Sequence, residues 1–184
     1  MPPGRLRAPY WQAAGWSRQG IRQSGHWSLG HLVIAAVALG SNLGDRRAHL
    51  DYAVSRLTSV LTHLRVSRYH ETDPIGVPDQ QPSFLNAAAI GETTMTARDL
   101  LDMLLAIERE RGRERPFPGA ARTLDLDLVL FGDLVTVEPG LSVPHPRFRE
   151  RRFVLEPLAE LAPDLVDPVT GLSVGRLLAG APHD

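Results

Sequence analysis

The sequence has 184 residues, of which 43% are hydrophobic and 22% charged, with a formal net charge of −1. These values are typical of one globular domain, and the absence of a run of about 18 apolar residues argues against a membrane-spanning helix. The chain has no cysteine and all 20 of its Lys and Arg positions are arginine, which excludes disulfides, thiolate metal sites, a P-loop lysine and a Schiff base.

This composition also restricts how the chain can handle phosphate. Without lysine, arginine and metal ions have to do so, and the planar guanidinium matches phosphate oxygens well. A net charge of −1 argues against a general nucleic-acid binder, which needs a strongly basic face.

Residues 1–31 differ from the rest of the chain. They contain all three tryptophans and no acidic residue, and the first acid is Asp45. Without a periodic apolar pattern, we expect a disordered N-terminal extension, and we place the folded domain at residues 32–184. The segment lacks the apolar core of a secretory signal; a transit peptide and a start assigned too far upstream remain open interpretations.

The first predicted elements are a strand at Leu32–Leu39 and a helix on the apolar positions from Leu50 to Leu64. The glycine turn between them, residues 40–45, offers Asn42 or Asp45 as the helix N-cap. Such a turn can hold an anion, but it lacks both glycine-rich nucleotide motifs, which favours a plain strand-to-helix connection.

Two further strands and a second helix are predicted next. The strands are Leu64–Glu71 and Phe84–Gly91, joined by a proline-rich loop at Thr72–Pro82. Long stiff loops in compact domains are often functional. Thr96 followed by Asp99 forms a capping box for a helix that runs to about Arg111, where Gly112 ends it.

The most informative stretch is residues 122–131. Its leucines alternate from Leu124 to Leu130, which predicts a strand with one face in a core. Asp125 and Asp127 then point the same way, about 6–7 Å apart along the strand. This spacing suits two hard cations that bridge phosphate oxygens, with Arg122 at the start of the strand. A half-exposed strand that carries unrelated acids is the alternative.

The remaining predictions follow in chain order. A turn at Gly132 leads to Leu134–Val137 as a hairpin partner of the aspartate strand. The segment 143–146 presents His145 between two prolines. A helix is predicted to begin near Arg147 and to run toward Leu161. The domain ends with a short strand near Leu165–Val166 and a last helix around Val174–Leu178. Strands adjacent to strands, together with the predicted helices, indicate an α+β fold.

Four motifs in order carry a resemblance to a known family. They are Gly40-Ser41-Asn42-Leu43-Gly44, Phe84-Leu85-Asn86-Ala87-Ala88, Arg122-Thr123-Leu124-Asp125-Leu126-Asp127-Leu128 and Val143-Pro144-His145-Pro146. Over about residues 33 to 180, the chain resembles the 6-hydroxymethyl-7,8-dihydropterin pyrophosphokinases of folate synthesis. The resemblance implies a ferredoxin-like α+β fold with an antiparallel sheet packed with helices in a single domain. It also implies a cytoplasmic monomer with small-molecule substrates, without nucleic-acid or membrane partners.

The resemblance further implies the reaction and its residues. The family transfers the pyrophosphoryl group of ATP to the pterin hydroxymethyl and releases AMP, with two Mg²⁺ ions. Asp125 and Asp127 would hold the metals, and Arg113 and Arg122 would contact the phosphates. The implied ATP-side residues are Glu108, Arg115, His145 and Arg151, and the implied pterin-side residues are Thr72, Pro74, Ile75, Phe84, Asn86 and Phe153, with the ring stacked between the two phenylalanines.

The chain departs from the family pattern in the loop before Arg122. The family often has a tryptophan there, whereas this chain has Pro118-Gly119-Ala120-Ala121, with Phe117 as the candidate replacement. The loop is also one residue shorter, which leaves the role of Arg115 less defined than that of Arg113.

Two other functions are compatible with parts of the pattern. A two-metal nucleotidyltransferase also combines a Gly-Ser turn with an Asp-x-Asp strand, but there the aspartates follow the turn closely. A ferredoxin-like RNA-binding module is the non-enzymatic alternative, and the net charge of −1 disfavours it.

Overall fold

The computed structural model describes residues 31–74, 81–113 and 120–182. The domain is built on a five-stranded antiparallel sheet in the order β2-β4-β1-β5, with β3 paired to β4. In chain order the elements up to this sheet's last strand are β1 (Val33–Ser41), α1 (Arg46–Leu57), β2 (Thr62–Val66), β3 (His70–Thr72), β4 (Phe84–Thr93), α2 (Ala97–Glu110) and β5 (Asp125–Phe131).

The order of these elements defines the fold. Strand β1, helix α1, the β2–β4 antiparallel pair, helix α2 and strand β5 form a βαββαβ arrangement with β1 and β4 at the centre of the sheet. This is the ferredoxin-like topology, so the predicted α+β class and antiparallel sheet are confirmed. Strands lie beside strands, as predicted, because β4 pairs with β2 and with β3, the two strands that precede it in sequence.

Helices cover both faces of the sheet, and the alternation along β1 explains how. Val37 and Leu39 point into a core shared with α1 and α2. Ala36 points into a second core, which holds α3 (Arg152–Leu161) and α4 (Val174–Gly180). Since successive side chains on a strand face opposite sides, a strand that is buried on both faces reads as an almost continuous apolar run.

The structure shows which of the two candidate residues, Asn42 or Asp45, is the N-cap of α1. The carboxylate of Asp45 accepts a hydrogen bond from the Ala48 amide at 3.0 Å and so caps α1. Asn42 is therefore not the N-cap. At α2 the capping box is confirmed, because Thr96 Oγ1 accepts from the Asp99 amide at 3.1 Å.

The strand predicted at Leu64–Glu71 is wrong as a single element. The structure has two strands there, β2 and β3, with a break at Ser67. The Ala88 amide of β4 donates to the Ser67 hydroxyl at 3.0 Å, while the Ser67 amide donates to the Ala88 carbonyl at 2.9 Å. A side chain thus replaces a backbone acceptor in the ladder, which interrupts the strand.

The predicted hairpin partner of the aspartate strand is also wrong. Gly132 has a φ of 54° and its amide donates to the Ile34 carbonyl at 2.7 Å, so the chain turns away at the end of β5. The next strands, β6 (Thr136–Glu138) and β7 (Leu141–Val143), pair with each other in a separate two-stranded sheet.

The C-terminal predictions need smaller corrections. A short 3-10 helix at Phe148–Glu150 precedes α3, so the α-helix begins at Arg152 and not near Arg147. The strand expected near Val166 is a single bridge to Ser173. The last helix, α4, lies where the sequence predicted it. Within the described residues, no helix is long and apolar enough to cross a membrane.

Candidate active site

Asp125 and Asp127 lie at the start of β5, where its register pairs them with Gly40 and Ala38 of β1. Both side chains are therefore on the sheet face that carries α3, while Leu126 between them is buried in the opposite core. The period-2 prediction is confirmed from Leu124 to Leu128, whose side chains are buried in the core shared with α1 and α2. It is wrong at Leu130, because an irregularity in the pairing of β5 with β1 places Leu130 in the second core and Phe131 in the first. The aspartate side forms the floor of a polar site.

Two arginines neutralise Asp125. Arg113 Nη2 lies 2.6 Å from Oδ1 of Asp125, and Arg122 Nη1 lies 3.0 Å from Oδ2. Arg113 also contacts the carboxylate of Glu108, and its side chain is only 7% exposed. One guanidinium thus bridges two carboxylates from different elements, a geometry that matches its forked set of donors.

Glu108 has a structural contact that the sequence did not predict. It is 2% exposed, and its Oε1 accepts a hydrogen bond from the Leu126 amide at 2.7 Å. Because that amide belongs to β5, the carboxylate joins the last turns of α2 to the start of the aspartate strand. Glu108 therefore lies beneath Asp125 and Arg113, next to the predicted phosphate site.

Asp127 has weaker partners than Asp125. Its Oδ2 lies 3.6 Å from Nη1 of Arg151 and 3.9 Å from Nε2 of His145. Burial and the charge of Asp125 raise the pKa of Asp127, while His145, Arg151 and Arg113 oppose that rise. A cation between the two aspartates would favour their ionised forms, so the site has the electrostatics of a cation-binding pair.

His145 is held in place through both its backbone and its ring. Its amide donates to the Val129 carbonyl at 2.9 Å, and its Nδ1 accepts from the Arg147 amide at 3.2 Å. Burial, more than any other factor, lowers the pKa of His145, which favours the neutral ring. With Nδ1 as acceptor, the neutral ring carries its proton on Nε2, the atom that faces Asp127.

The donor set fits magnesium that is shared with a polyphosphate. Among the described residues, no group of three or more His, Cys, Asp or Glu side chains could hold a metal alone. Mg²⁺ commonly binds through one or two carboxylates, with waters and substrate phosphates completing its octahedron. Asp125 and Asp127 supply such a pair, and Arg113 and Arg122 lie on the oxygens of Asp125 that a metal would use.

The predicted pterin residues on the sheet share one face. Thr72 of β3 is paired with Phe84 of β4, and Asn86 follows two residues later on the same side. Asn86 is 5% exposed and its Nδ2 donates to Thr72 Oγ1 at 2.7 Å. Gly40 leaves room for it, since a Cβ there would lie 3.0 Å from Oδ1 of Asn86.

Arginines lie over both predicted stacking residues. The guanidinium of Arg122 is 5.5 Å from the centroid of the Phe84 ring, and that of Arg151 is 5.6 Å from the centroid of Phe153 on α3. Pro74 lies in the proline-rich loop and is the last residue described before residues 75–80. The predicted contacts Ile75 and Arg115, and Phe117, lie outside the described residues.

Sequence reasoning assigned no site role to Asn42, although the structure places it between the two halves of the site. Its side chain is buried and forms hydrogen bonds with Arg122, Gln81 and Pro82. One signal was available in the sequence: Asp45, three residues later, can cap α1 by itself, which leaves the amide of Asn42 for another purpose.

A carboxylate pair with facing arginines, at one end of a ferredoxin-like sheet, is typical of an enzyme that handles phosphate groups. Residues 36–163 match the family model described as 7,8-dihydro-6-hydroxymethylpterin-pyrophosphokinase. This match covers more than half of the chain. The chain belongs to that family.

Curated relatives agree with this assignment. The 2-amino-4-hydroxy-6-hydroxymethyldihydropteridine pyrophosphokinase of Pseudomonas aeruginosa is 43% identical over 150 residues, which cover 80% of this chain and 91% of the relative. The protein of the same name from Bacillus subtilis is 45% identical over 130 residues, which cover 70% of this chain and 77% of the relative.

Solved structures support the fold. The crystal structure of a Plasmodium falciparum HPPK-DHPS triple mutant superposes with a TM-score of 0.66 at 14% identity and covers 81% of this chain. The match covers only 43% of that longer chain. At this identity the likeness concerns the fold alone.

Proposed function

We propose that this chain transfers the pyrophosphoryl group of ATP to the hydroxymethyl group of 6-hydroxymethyl-7,8-dihydropterin. The products are AMP and the pterin diphosphate, and the reaction belongs to tetrahydrofolate biosynthesis. Family membership supports this function. We infer the location of the reaction from one observation: Asp125 and Asp127 lie together at the start of β5, next to Arg113 and Arg122.

Asp125 and Asp127 would hold two Mg²⁺ ions together with the phosphates of ATP. When bound, the metal ions neutralise phosphate charge and align the β-phosphorus with the attacking hydroxyl. The protein's own part is to hold the two carboxylates on one face of β5. The pKa of Asp127, raised by burial and by Asp125, favours a site that binds cations in order to relieve this repulsion.

Arg113 and Arg122 would contact the phosphate oxygens. In the structure both guanidiniums lie on Asp125, and they would turn from this carboxylate to the phosphate oxygens when Asp125 holds a metal ion. Each charge keeps an opposite charge throughout, which limits the cost of desolvation. We assign Arg115 to the same loop as an assisting contact.

His145 and Arg151 would bind the triphosphate or nucleotide side, next to Asp127. The proton on Nε2 of His145 and the guanidinium of Arg151 can both donate to phosphate oxygens. Glu108 accepts a hydrogen bond from the Leu126 amide, next to Asp125, and we assign it to the adenosine side of the ATP site.

The pterin would lie on the sheet face that carries Thr72, Phe84 and Asn86. The amide of Asn86 offers a donor and an acceptor to the pterin edge. Phe84 and Phe153 would stack on the ring, with Pro74 and Ile75 at its rim. Arg122 over Phe84 would have to shift for this stacking, which fits its proposed move to phosphate.

Phosphorus NMR tests this function directly. ATP, Mg²⁺ and hydroxymethyl-dihydropterin with the protein should give AMP and a pterin diphosphate, whereas a nucleotidyltransferase would release pyrophosphate. Asp127→Ala should slow the reaction roughly a thousandfold because it removes a metal ligand. The matched control is Asp133→Ala, an exposed acid beyond the other end of β5, which should retain the wild-type rate. Near-normal turnover in Asp127→Ala would contradict the metal assignment.

We assign the enzyme to the cytoplasm as a monomer that acts on small molecules and does not bind nucleic acid. The formal net charge of −1 supports the last point. Retention on RNA at moderate salt would revive the binding-module alternative.

A further inference from the structure

We infer that Asp167 is a positioning residue for the phosphate side of the active site, because it fixes Arg149 and thereby the turn that carries His145 and Arg151. The inference rests on the proposed function and deepens it, since these last two residues are proposed to bind the triphosphate side of ATP. Family membership does not assign this role, because the residues matched to the family model end at 163.

Residues 145–151 form one hydrogen-bonded turn between β7 and α3. The Phe148 amide donates to the His145 carbonyl at 3.2 Å, and the Arg151 amide donates to the Phe148 carbonyl at 3.3 Å. Phe148 is fully buried in the second core and fixes the inner side of the turn. Arg149 is the next residue, so a shift of its backbone would reach both ends of the turn.

The guanidinium of Arg149 fixes the outer side of the turn. It lies over the ring of Phe148, 4.8 Å from the ring centroid. Its Nε donates to Oδ2 of Asp167 at 2.7 Å, and its Nη2 donates to Oδ1 at 2.8 Å. Two parallel hydrogen bonds between a guanidinium and a carboxylate determine the orientation of the pair as well as its distance.

Asp167 is itself held by the loop that follows it. Its carboxylate accepts hydrogen bonds from the Val169 amide at 3.2 Å, from the Thr170 amide at 3.3 Å and from the Thr170 hydroxyl at 2.6 Å. The Asp167 amide donates to the Leu172 carbonyl at 2.9 Å, which closes the loop. Because none of these bonds involves Arg149, the buried carboxylate is a preorganised support for the arginine.

The two residues at the ends of the turn face Asp127. Its Oδ2 lies 3.9 Å from Nε2 of His145 and 3.6 Å from Nη1 of Arg151. Both distances exceed those of normal hydrogen bonds, so the turn, and not a bond to Asp127, places the two side chains. If Arg149 lost its partner, only the inner support at Phe148 would remain, and both donors would shift relative to the proposed phosphate site.

Two substitutions in the loop separate positioning from loop stability. In Asp167→Asn either orientation of the amide removes one of the two bonds of Arg149, because each carboxylate oxygen accepts one of them. Thr170→Val is the matched control, since it removes the 2.6 Å hydrogen bond to the same carboxylate and leaves Arg149 in place. Both variants should lower the Tm, and only Asp167→Asn should weaken nucleotide binding.

Initial-rate kinetics and isothermal titration calorimetry measure this difference with the full chain and Mg²⁺. Asp167→Asn should raise the KM for ATP and the Kd of α,β-methylene-ATP about tenfold. The KM for the pterin should change less than about twofold, and kcat at saturating ATP less than about threefold. Thr170→Val should keep all four quantities within about twofold of wild type.

A double-mutant cycle tests whether Asp167 acts through Arg149. Arg149→Met removes the guanidinium and should weaken binding of the analogue as Asp167→Asn does. The variant with both substitutions should then bind no more weakly than Arg149→Met alone. Arg149→Lys keeps the charge next to the buried carboxylate and loses the parallel pair, so it should also raise the Kd. It gives the comparison if Asp167→Asn does not fold.

Amide hydrogen exchange measures the positioning without turnover. In Asp167→Asn the amides of Phe148 and Arg151 should exchange faster than in wild type, relative to the amides of β1, which report global unfolding. In Thr170→Val these two amides should be unchanged. Only the Leu172 amide, which donates to Thr170 Oγ1 at 3.3 Å, should exchange faster there.

Three results would contradict the inference. They are wild-type binding of the analogue in folded Asp167→Asn, an equal loss of binding in Thr170→Val, and additive losses in the double-mutant cycle. If the wild-type chain forms no AMP, the proposed function fails, and the exchange rates of Phe148 and Arg151 still decide whether Asp167 fixes the turn.

Discussion

At the scale of single residues, Arg113 is the group on which most of the site's charge balance depends. It lies between Glu108 and Asp125, and both its side chain and that of Glu108 are buried, 7% and 3% exposed. Removing one member of a buried charge network leaves the others uncompensated, which is more costly than the loss of an exposed pair.

Replacing Arg113 should therefore affect both stability and rate. We expect Arg113→Ala to lower the free energy of unfolding by about 3 kcal/mol and to lower kcat more than the affinity for ATP, since the guanidinium is proposed to act on developing phosphate charge. Arg113→Lys should recover part of the stability but less of the rate, because an ammonium lacks the fork that spans two carboxylates. Denaturant titration and initial-rate kinetics measure the two effects.

The control for this prediction is Arg109→Ala, on the exposed side of the same helix. It should leave both quantities near wild type. A pure change in KM for ATP in Arg113→Ala, with kcat retained, would contradict the proposed role of this arginine in the reaction.

At the residue scale, the sequence is most informative where partners are near each other along the chain. Arg122 was expected at the start of the aspartate strand, and in the structure it pairs with Asp125, three residues later. The contact of Glu108 with the Leu126 amide was missed, because it depends on how the end of α2 meets β5. Asn42 was missed for the same reason, since its partners lie some 40 and 80 residues away.

At the scale of elements, the loop Asp167–Leu172 is fixed by one carboxylate. Asp167 is fully buried and receives two hydrogen bonds from Arg149, at 2.7 and 2.8 Å, and one from Thr170 Oγ1 at 2.6 Å. Burial raises the pKa of Asp167, but the hydrogen bonds from Arg149, Thr170 and the Val169 amide outweigh it and lower the pKa to about 2.

This lowered pKa predicts an acid-sensitive contribution to stability. The folded-state pKa lies below the ordinary 3.8, so the contribution is present above about pH 4 and is lost as the pH falls toward 2; its size is on the order of 2 kcal/mol. Asp167→Asn should be less stable at pH 6 and should lose less stability between pH 5 and pH 2.5. Urea titrations at these pH values measure this, with the exposed Asp164→Asn as control. An unchanged acid dependence in Asp167→Asn would contradict the assignment.

An element could be predicted from the sequence when interactions within the element set its ends, and not when contacts with other elements did. The period of β5 was predictable up to Leu128, where one face is buried and the other is polar, but not beyond it, where both faces are buried and the pairing with β1 is irregular. The capping box at Thr96 was predictable because it is local. The break at Ser67 was not predictable, since a hydroxyl replaces a backbone acceptor only after β4 has docked. Residues 134–137 were predicted to pair with β5, whereas β6 pairs with β7, because the alternation of apolar residues indicates where strands lie but not which strands pair.

At the scale of the whole molecule, the fold and the family match concern the same part of the chain. The matched residues 36–163 include β1 to β7 apart from the first residues of β1, as well as α1, α2 and α3. Both predicted halves of the site lie within this range. The proposed catalytic unit is residues 32–184, which leaves residues 1–31 without a role in the reaction.

Deleting residues 1–31 tests this division. We expect a chain that starts at Leu32 after an initiator methionine to retain kcat and both KM values within about twofold, since a twofold change corresponds to only about 0.4 kcal/mol. All three tryptophans are removed with the segment, so circular dichroism is the appropriate measure of folding for both chains. If the shortened chain melts like the full chain but turns over slowly, the segment contributes to the site. If it does not fold, the segment contributes to the core, and the domain boundary at residue 32 is wrong.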